Sequence, residues 1–153
     1  GIAQQAVAEA AFTIQSAGVK GAESLRLLEA SAKASAIGLG DQHALARAGT
    51  AMMQAYGKEA INASRSMDLL TAVVREGNME ASELAPSIGK VLPLASALGV
   101  SFEEVGANIA VFTRLGVSAG EAVTALRATL AAILKPTTEA KTELEKYGLT
   151  FEQ

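Results

Sequence analysis

Two short segments decide the fold: Gly99-Val100-Ser101-Phe102-Glu103-Glu104 and Gly116-Val117-Ser118-Ala119-Gly120-Glu121. In each segment the glycine can adopt the left-handed conformation that closes a helix. The serine that follows lies three residues before a glutamate, which is the spacing of a capping box at the start of the next helix. The pairs Ser101 with Glu104 and Ser118 with Glu121 therefore predict short turns between successive helices.

A third copy of this pattern, Gly148-Leu149-Thr150-Phe151-Glu152-Gln153, lies at the end of the chain. Thr150 is again three residues before a side chain that can complete the cap, here Gln153. Residues 148–153 are therefore predicted to be the truncated start of a further helix. The chain also begins at Gly1 without a methionine, and we expect it to be a fragment of a larger protein.

Apolar residues recur at helical spacing between the turns, and no comparable run alternates with a period of two. An earlier example is the stripe Leu25, Leu28 and Ala32. On both sides of Gly116 the pattern predicts one buried cluster, made of Val105, Ile109, Phe112, Val123, Leu126 and Leu130. The predicted fold class is all-α, with about seven helices joined by short turns that contain glycine.

The glycines also show a longer period. Gly38, Gly77 and Gly116 follow one another at equal intervals, and Gly18, Gly57 and Gly99 do so at nearly equal ones. The intervals are about 40 residues, a period that is typical of helical-hairpin repeats. We therefore expect a single domain over 1–153, with antiparallel hairpins stacked as a bundle or a short α-solenoid. The units would be 18–56, 57–98 and 99–135, followed by a helix over 136–147; evenly sized helices in any antiparallel domain would give similar spacing.

Two prolines fall within a segment that is otherwise helical, from Met79 to Leu98. Proline removes a backbone donor and clashes with the preceding turn of a helix. We therefore expect a kink or break near Leu92-Pro93, most simply one helix kinked at Pro93, with Pro86 on its first half. Pro136, in contrast, suits the first turn of the last helix.

The composition restricts the chemistry that the chain can perform. Its 153 residues include no Cys and a single His, so thiolate metal sites, disulfides and cysteine nucleophiles are excluded. A net charge of -3 with scattered basic residues argues against nucleic acid as the primary ligand. The longest stretch without a charged residue is residues 91–102, well short of the roughly 20 residues that cross a bilayer.

The few residues that could carry chemistry have simpler interpretations. His43 follows Asp41, a candidate helix N-cap, and a metal site would need further ligands. Glu103 and Glu104 point about 100 degrees apart on a helix, and capping accounts for them better than acid-base catalysis. Gly38-Leu39-Gly40 lacks the third glycine of a dinucleotide site. We therefore predict no catalytic, cofactor-binding or metal-binding residue, and no enzyme activity.

The stretch from Glu83 to Pro136 resembles the core domain of phage tail tape measure proteins. The features that carry the resemblance are Leu92-Pro93, the break at Ala97-Leu98-Gly99-Val100-Ser101, the break at Gly116-Val117-Ser118, and Glu121-Ala122. The upstream helix breaks near Gly18 and Gly57 also resemble the pattern of this family, but they are less specific to it. Asn78 departs from the Ser or Thr that the pattern would place after Gly77, but it is an acceptable cap.

The resemblance implies a structural virion protein in the lumen of the phage or prophage tail, present in the host cytoplasm during assembly. It further implies roles in tail length determination and genome ejection, and contacts with tail tube proteins, baseplate proteins and tail assembly chaperones. Self-association is left open, and membrane contact during ejection is a minor alternative. A generic α-helical repeat scaffold for protein-protein interaction remains the alternative function.

Overall fold

The computed structural model describes residues 1–150, apart from the Ile2 side chain. Over these residues the chain is all-helical, with no strand and nine helices, which confirms the predicted fold class. The helices are α1 (Ile2–Ser16), α2 (Ala22–Ala36), α3 (Gln42–Tyr56), α4 (Ala63–Gly77), α5 (Ala81–Ile88), α6 (Leu92–Ala97), α7 (Phe102–Arg114), α8 (Ala119–Leu134) and α9 (Thr138–Lys146).

Near Leu92-Pro93 the structure has a break and not a kinked single helix, and the described residues form nine helices where about seven were expected. The chain forms two helices there, α5 and α6, separated by a tight turn in which Lys90 N–H donates to the Ser87 carbonyl. Pro93 is the second residue of α6. A proline in the first turn breaks no helical hydrogen bond, because those backbone N–H groups have no partner within the helix.

Helix packing follows two interleaved series. In one, α2 packs against α4 and α4 packs against α7. In the other, α1 packs against α3, α3 against α5 and α6, and both of these against α8. Helices that follow each other in the sequence but belong to different series, such as α2 with α3 and α7 with α8, also pack together. The core is therefore continuous from α1 to α8, whereas α9 has no buried residue.

The predicted cluster around the Gly116 turn is only partly buried. Val105, Ile109, Val123 and Leu130 are in the core, but Leu126 is half-buried and Phe112 is 38% exposed. Phe112 shares the face of Ile109, yet it lies in the last turn of α7, where the chain leaves the helix to enter the next turn. The prediction of a buried Phe112 is therefore wrong.

The stripe Leu25, Leu28 and Ala32 is not the buried face of α2. That face consists of Ser24, Leu27, Ser31 and Ala34, and Leu25 is exposed. Serine can occupy the core here because its hydroxyl has an acceptor within the helix: Ser31 Oγ donates to the Leu28 carbonyl at 3.0 Å. A pattern of apolar residues alone misses such a face.

The series of glycines predicts a helix break at Gly77, and α4 ends at this residue. The left-handed position belongs to Asn78, with φ 49°. In the two predicted series, the glycines with left-handed φ are Gly18, Gly38, Gly57, Gly99 and Gly116. Gly77 is buried, and a Cβ there would lie 2.7 Å from Thr113 Oγ1 and 3.2 Å from Ala110 Cα of α7. Its lack of a side chain serves close packing of two helices.

Candidate interaction surface

Both serine-glutamate pairs form reciprocal caps. Ser101 N–H donates to Glu104 Oε2 at 2.8 Å and Glu104 N–H donates to Ser101 Oγ at 3.2 Å. The corresponding distances for Ser118 and Glu121 are 3.2 and 3.3 Å. The backbone N–H of Ser101, aided by its hydroxyl, lowers the pKa of Glu104. The Ser118 hydroxyl, aided by its N–H, lowers the pKa of Glu121.

These carboxylates are thus held in the ionised form that accepts hydrogen bonds at a helix N-terminus. A general acid would need the opposite shift in pKa. The third predicted cap cannot be placed in the same way, because Gln153, the residue that would pair with Thr150, lies outside the described residues.

The other candidates from the sequence have structural contacts. His43 Nε2 lies 2.9 Å from Thr13 Oγ1 and ties α3 to α1. Asp41 accepts a hydrogen bond from the Ala44 N–H and caps α3. Within residues 1–150, no group of three or more His, Asp and Glu side chains is arranged to hold a metal ion.

Helices α4 and α7 run in the same direction along a seam that is closed by an ion pair at each end. Arg65, near the start of α4, lies 2.9 Å from Glu103, near the start of α7. Glu76 and Arg114, near the ends of the two helices, are 3.7 Å apart. Start therefore pairs with start and end with end. Each pair is exposed, so it fixes register more than it adds stability.

Small residues let the two helices approach each other along this seam. The Val73 side chain of α4 lies against the Cα of Gly106 in α7, so closely that no Cβ fits between them. Thr113 Oγ1 donates to the Gly77 carbonyl at 2.9 Å. The sequence offered one signal for this contact, a glycine within an otherwise helical pattern, which is costly in a helix and therefore usually has a packing reason.

A shallow groove of about 260 Å³ lies over the seam. Its floor is apolar and its ends carry the charges of Glu76, Glu103 and Arg114. The apolar residues that line it are Leu69, Ala72, Val73, Phe102, Ala107, Ala110 and Val111. A groove with an apolar floor and charged ends is the common form of a protein contact site.

Tyr56, at the end of α3, joins the N-terminal half of the molecule to the turn before α7. Its hydroxyl donates to the Val100 carbonyl at 2.9 Å. Desolvation, with smaller contributions from the charges of Glu103 and Glu104, raises the pKa of Tyr56 to about 12. The phenol therefore stays protonated and keeps its donor role throughout the physiological pH range.

Several large apolar side chains are exposed, and no pattern in the sequence marks them as surface residues. Those with the greatest exposure are Phe12, Leu25, Ile37, Leu115 and Tyr147, each at least 68% exposed. They lie at separate places along the chain, and single exposed apolar side chains of this kind are common on folded proteins. In the part of the chain that the structure describes, no helix combines the length and the apolar character needed to span a membrane.

The chain matches a protein family along its whole length and a curated relative over most of it. The model of the family described as phage-related minor tail protein matches residues 1–153. The tape measure protein of Pneumococcus phage Dp-1 is 31% identical over 116 residues, which is 76% of this chain and 10% of that protein. The chain thus spans about a tenth of the length of the curated relative that it matches.

No solved structure matches the chain. The family assignment therefore rests on the sequence matches and agrees with the all-helical fold. It confirms the resemblance to phage tail tape measure proteins that the helix breaks from Leu92 to Ser118 indicate. The chain belongs to the phage-related minor tail protein family, as a domain of the phage tail tape measure kind.

Proposed function

We propose that this chain is a folded structural module of a tape measure protein, which takes part in tail assembly, tail length determination and genome ejection through the larger protein. The observation that carries the proposal is the division of the chain into short helices. The longest, α8, has 16 residues. At about 1.5 Å per residue it reaches roughly 24 Å, whereas one continuous helix of this chain would reach about 230 Å.

A segment that measures length along a tail has to be extended, and short turns prevent that here. The module is therefore a compact part of the protein, and longer helices elsewhere in the parent measure the tail. In this proposal it acts by packing against other tail components and not by catalysis. Its partners are tail tube proteins, baseplate proteins and assembly chaperones; it resides in the tail lumen after assembly in the host cytoplasm.

The architecture we infer is a stack of helical hairpins. The units are 18–56 with α2 and α3, 57–98 with α4 and a second arm divided into α5 and α6, and 99–135 with α7 and α8. The packing order supports this, because α2, α4 and α7 follow one another in one series and α3, α5 and α8 in the other. Stacking of this kind buries a continuous core while each unit contacts its neighbours.

An in-frame deletion tests the role of the module. The codons of residues 1–153 are removed from the tape measure gene of a phage that encodes this chain, and the lengths of the tails are measured by electron microscopy. We expect either failed assembly or tails whose length changes by far less than the span of one continuous helix. The control removes the same number of residues from a segment of the parent protein with uninterrupted helical periodicity, and it should shorten tails by about 1.5 Å per residue.

Shortening by about 230 Å after removal of the module would overturn the proposal, because it would show that the segment is extended in the tail. Tails of normal length that still deliver DNA with unchanged efficiency would also count against it. That result would mean that the module contributes to neither assembly nor ejection.

A further inference from the structure

The connections that carry the chain between the two series of helices share one backbone feature. Wherever the chain passes from one series to the other, the connection contains a residue with positive φ. These residues are Gly18, Gly21, Gly38, Gly57, Asn78, Gly99 and Gly116. The connection between α5 and α6 has no such residue, and these two helices belong to the same series. A positive φ therefore marks each point at which the chain changes series.

The connection between α8 and α9 lacks this feature. It consists of residues 135–137, all of which the structure describes, and none of them has a positive φ. Lys135 has φ −132° and Thr137 has φ −65°. Pro136 cannot supply a positive φ, because its ring holds φ near −65°. By the rule of the other connections, α9 does not cross to the series that ends at α7, and it makes no extensive contact with that helix.

Helix α9 also differs from the other helices in the face that it could bury. Helices α3, α4, α7 and α8 each begin after a side-chain N-cap, and each buries the first, fourth and fifth residues after that cap. The residues at the fourth position are Leu45, Ser66, Val105 and Ala122. Helix α9 has a side-chain N-cap as well, Thr137, but its fourth and fifth positions hold Lys141 and Thr142.

The charge at this position prevents α9 from packing in the register of the other capped helices. An ammonium group is buried only at a high cost unless it is paired. Glu145, at the eighth position, places a second charge on the same side of α9. The mismatch lies in the residues of α9 themselves and therefore does not depend on the chain that follows them.

The polar contacts of α9 are local. Within the described chain, its side-chain hydrogen bonds and its ion pair all join residues of α9 and its cap. Examples are Lys146 with Glu143 at 2.7 Å and Thr142 with the Thr138 carbonyl at 2.9 Å. Since α9 has no buried residue either, neither polar nor apolar contacts fix its direction relative to α8.

We propose that the stack of helices ends at α8 and that residues 135–137 form a hinge, about which α9 moves as a separate element. Pro136 creates the hinge because a proline disfavours the helical conformation in the residue before it, and Lys135 has left that conformation. The hinge is a property of this chain and does not rest on the function proposed above. It sets the end of the compact module at Leu134, ahead of the last described helix.

Nuclear magnetic resonance relaxation of backbone ¹⁵N in the whole 153-residue chain measures the motion of α9, with α8 of the same molecule as the internal control. We expect the amides of residues 138–146 to report a shorter effective correlation time than those of residues 119–134. Equal correlation times for the two helices would overturn the proposal, because α8 and α9 would then move as one body.

Pro136→Ala tests the origin of the hinge. Alanine allows α8 to continue into α9, so the Cα chemical shifts of residues 135–137 should become helical and the correlation time of α9 should approach that of α8. Pro86→Ala is the matched control, since Pro86 already lies inside helix α5, and it should leave the motion of α9 unchanged. If α9 keeps its mobility in Pro136→Ala, the proline does not form the hinge and the proposal fails.

Removal of residues 136–153 tests whether the stack needs α9. We expect the shortened chain to unfold at the same urea midpoint as the whole chain. Leu130→Ala in the whole chain is the comparison, because it empties a buried position of α8 and should lower the midpoint. A shortened chain that fails to fold, or whose midpoint falls as far as that of Leu130→Ala, would show that α9 belongs to the stack and would overturn the proposal.

Discussion

The Val73 side chain of α4 lies directly against the Cα of Gly106 in α7, and a Cβ on Gly106 would overlap the Val73 Cγ2 methyl group. The contact lies midway along the seam, between the Arg65–Glu103 and Glu76–Arg114 pairs. Glycine within a helix costs about 0.5–1 kcal/mol relative to alanine. Its presence in α7 is explained by the close approach that it permits.

Gly106→Ala is therefore expected to destabilise the fold. Overpacking against Val73 costs about 1–3 kcal/mol, partly offset by the better helix propensity of alanine. Gly120→Ala is the matched control, because Gly120 is in helix α8 and has open space around its Cα. The control should be stabilised by about 0.5–1 kcal/mol. Urea unfolding followed by circular dichroism gives both free energies.

A second variant separates overpacking from other causes. Val73→Ala combined with Gly106→Ala removes the methyl group that the new Cβ would meet, so the double variant should be more stable than the sum of the two single effects predicts. Equal free energies of unfolding for Gly106→Ala and Gly120→Ala would show that α4 and α7 are not in close contact at this point.

Three apolar residues of the predicted cluster differ in burial, so their substitution by alanine should reduce the free energy of unfolding by different amounts. Ile109 is fully buried, so Ile109→Ala should cost about 2–5 kcal/mol. Leu126→Ala should cost less, since Leu126 is half-buried, and Phe112→Ala should cost least because its ring is partly in solvent. Thermal and urea unfolding of the three variants establish the order. A cost for Phe112→Ala as large as that for Ile109→Ala would contradict the described exposure.

The capping serines at the starts of α7 and α8 should each contribute a similar amount to the free energy of unfolding. Ser101→Ala and Ser118→Ala each remove one side-chain acceptor for a backbone N–H and are expected to cost about 0.5–2 kcal/mol. Ser101→Asp and Ser118→Asp, which restore an acceptor, should recover most of the loss. The free energy of unfolding is measured for each alanine variant and its aspartate counterpart. If alanine is tolerated at either position without loss, the hydroxyl does not cap that helix.

The lowered pKa of Glu104 and of Glu121 makes stability depend on pH in the acid range. Both carboxyls have a folded-state pKa below the ordinary 4.5. The stability that the two ionised carboxyls provide is therefore complete above pH 4.5, and it is lost as the pH falls through the lowered pKa of the folded state. Glu121→Gln removes one of the two titrations. The difference in urea midpoint between the unmodified chain and this variant should shrink from pH 7 to pH 3; a difference that grows on acidification would contradict the shift.

The sequence predicts the all-helical class well because its strongest signals are local. Helical spacing of apolar residues and a serine three residues before a glutamate depend on neighbours along the chain. The same signals fail where tertiary contacts decide the outcome. The buried serines of α2 and the partly exposed Phe112 of α7 could not be predicted, because both depend on which side of a helix another helix covers.

The segment that contains Pro86 and Pro93 shows a second limit of prediction from the sequence. Pro86 and Pro93 indicate disturbed helix, but a kink and a complete break have the same sequence pattern. The structure has two separate helices because the turn between Ile88 and Leu92 lets α5 and α6 each pack against α3 and α8. Likewise the exposure of Leu25 and Leu115 cannot be derived from periodicity, because it depends on which sides of α2 and α7 other helices cover.

The most direct test of the central claim is cryo-electron microscopy of an intact tail that contains this chain. The account predicts a compact cluster of short helices in the lumen, in which the α4–α7 seam can be recognised from two parallel helices in close contact. A continuous helix over these residues, extending about 230 Å along the tail axis, would contradict it.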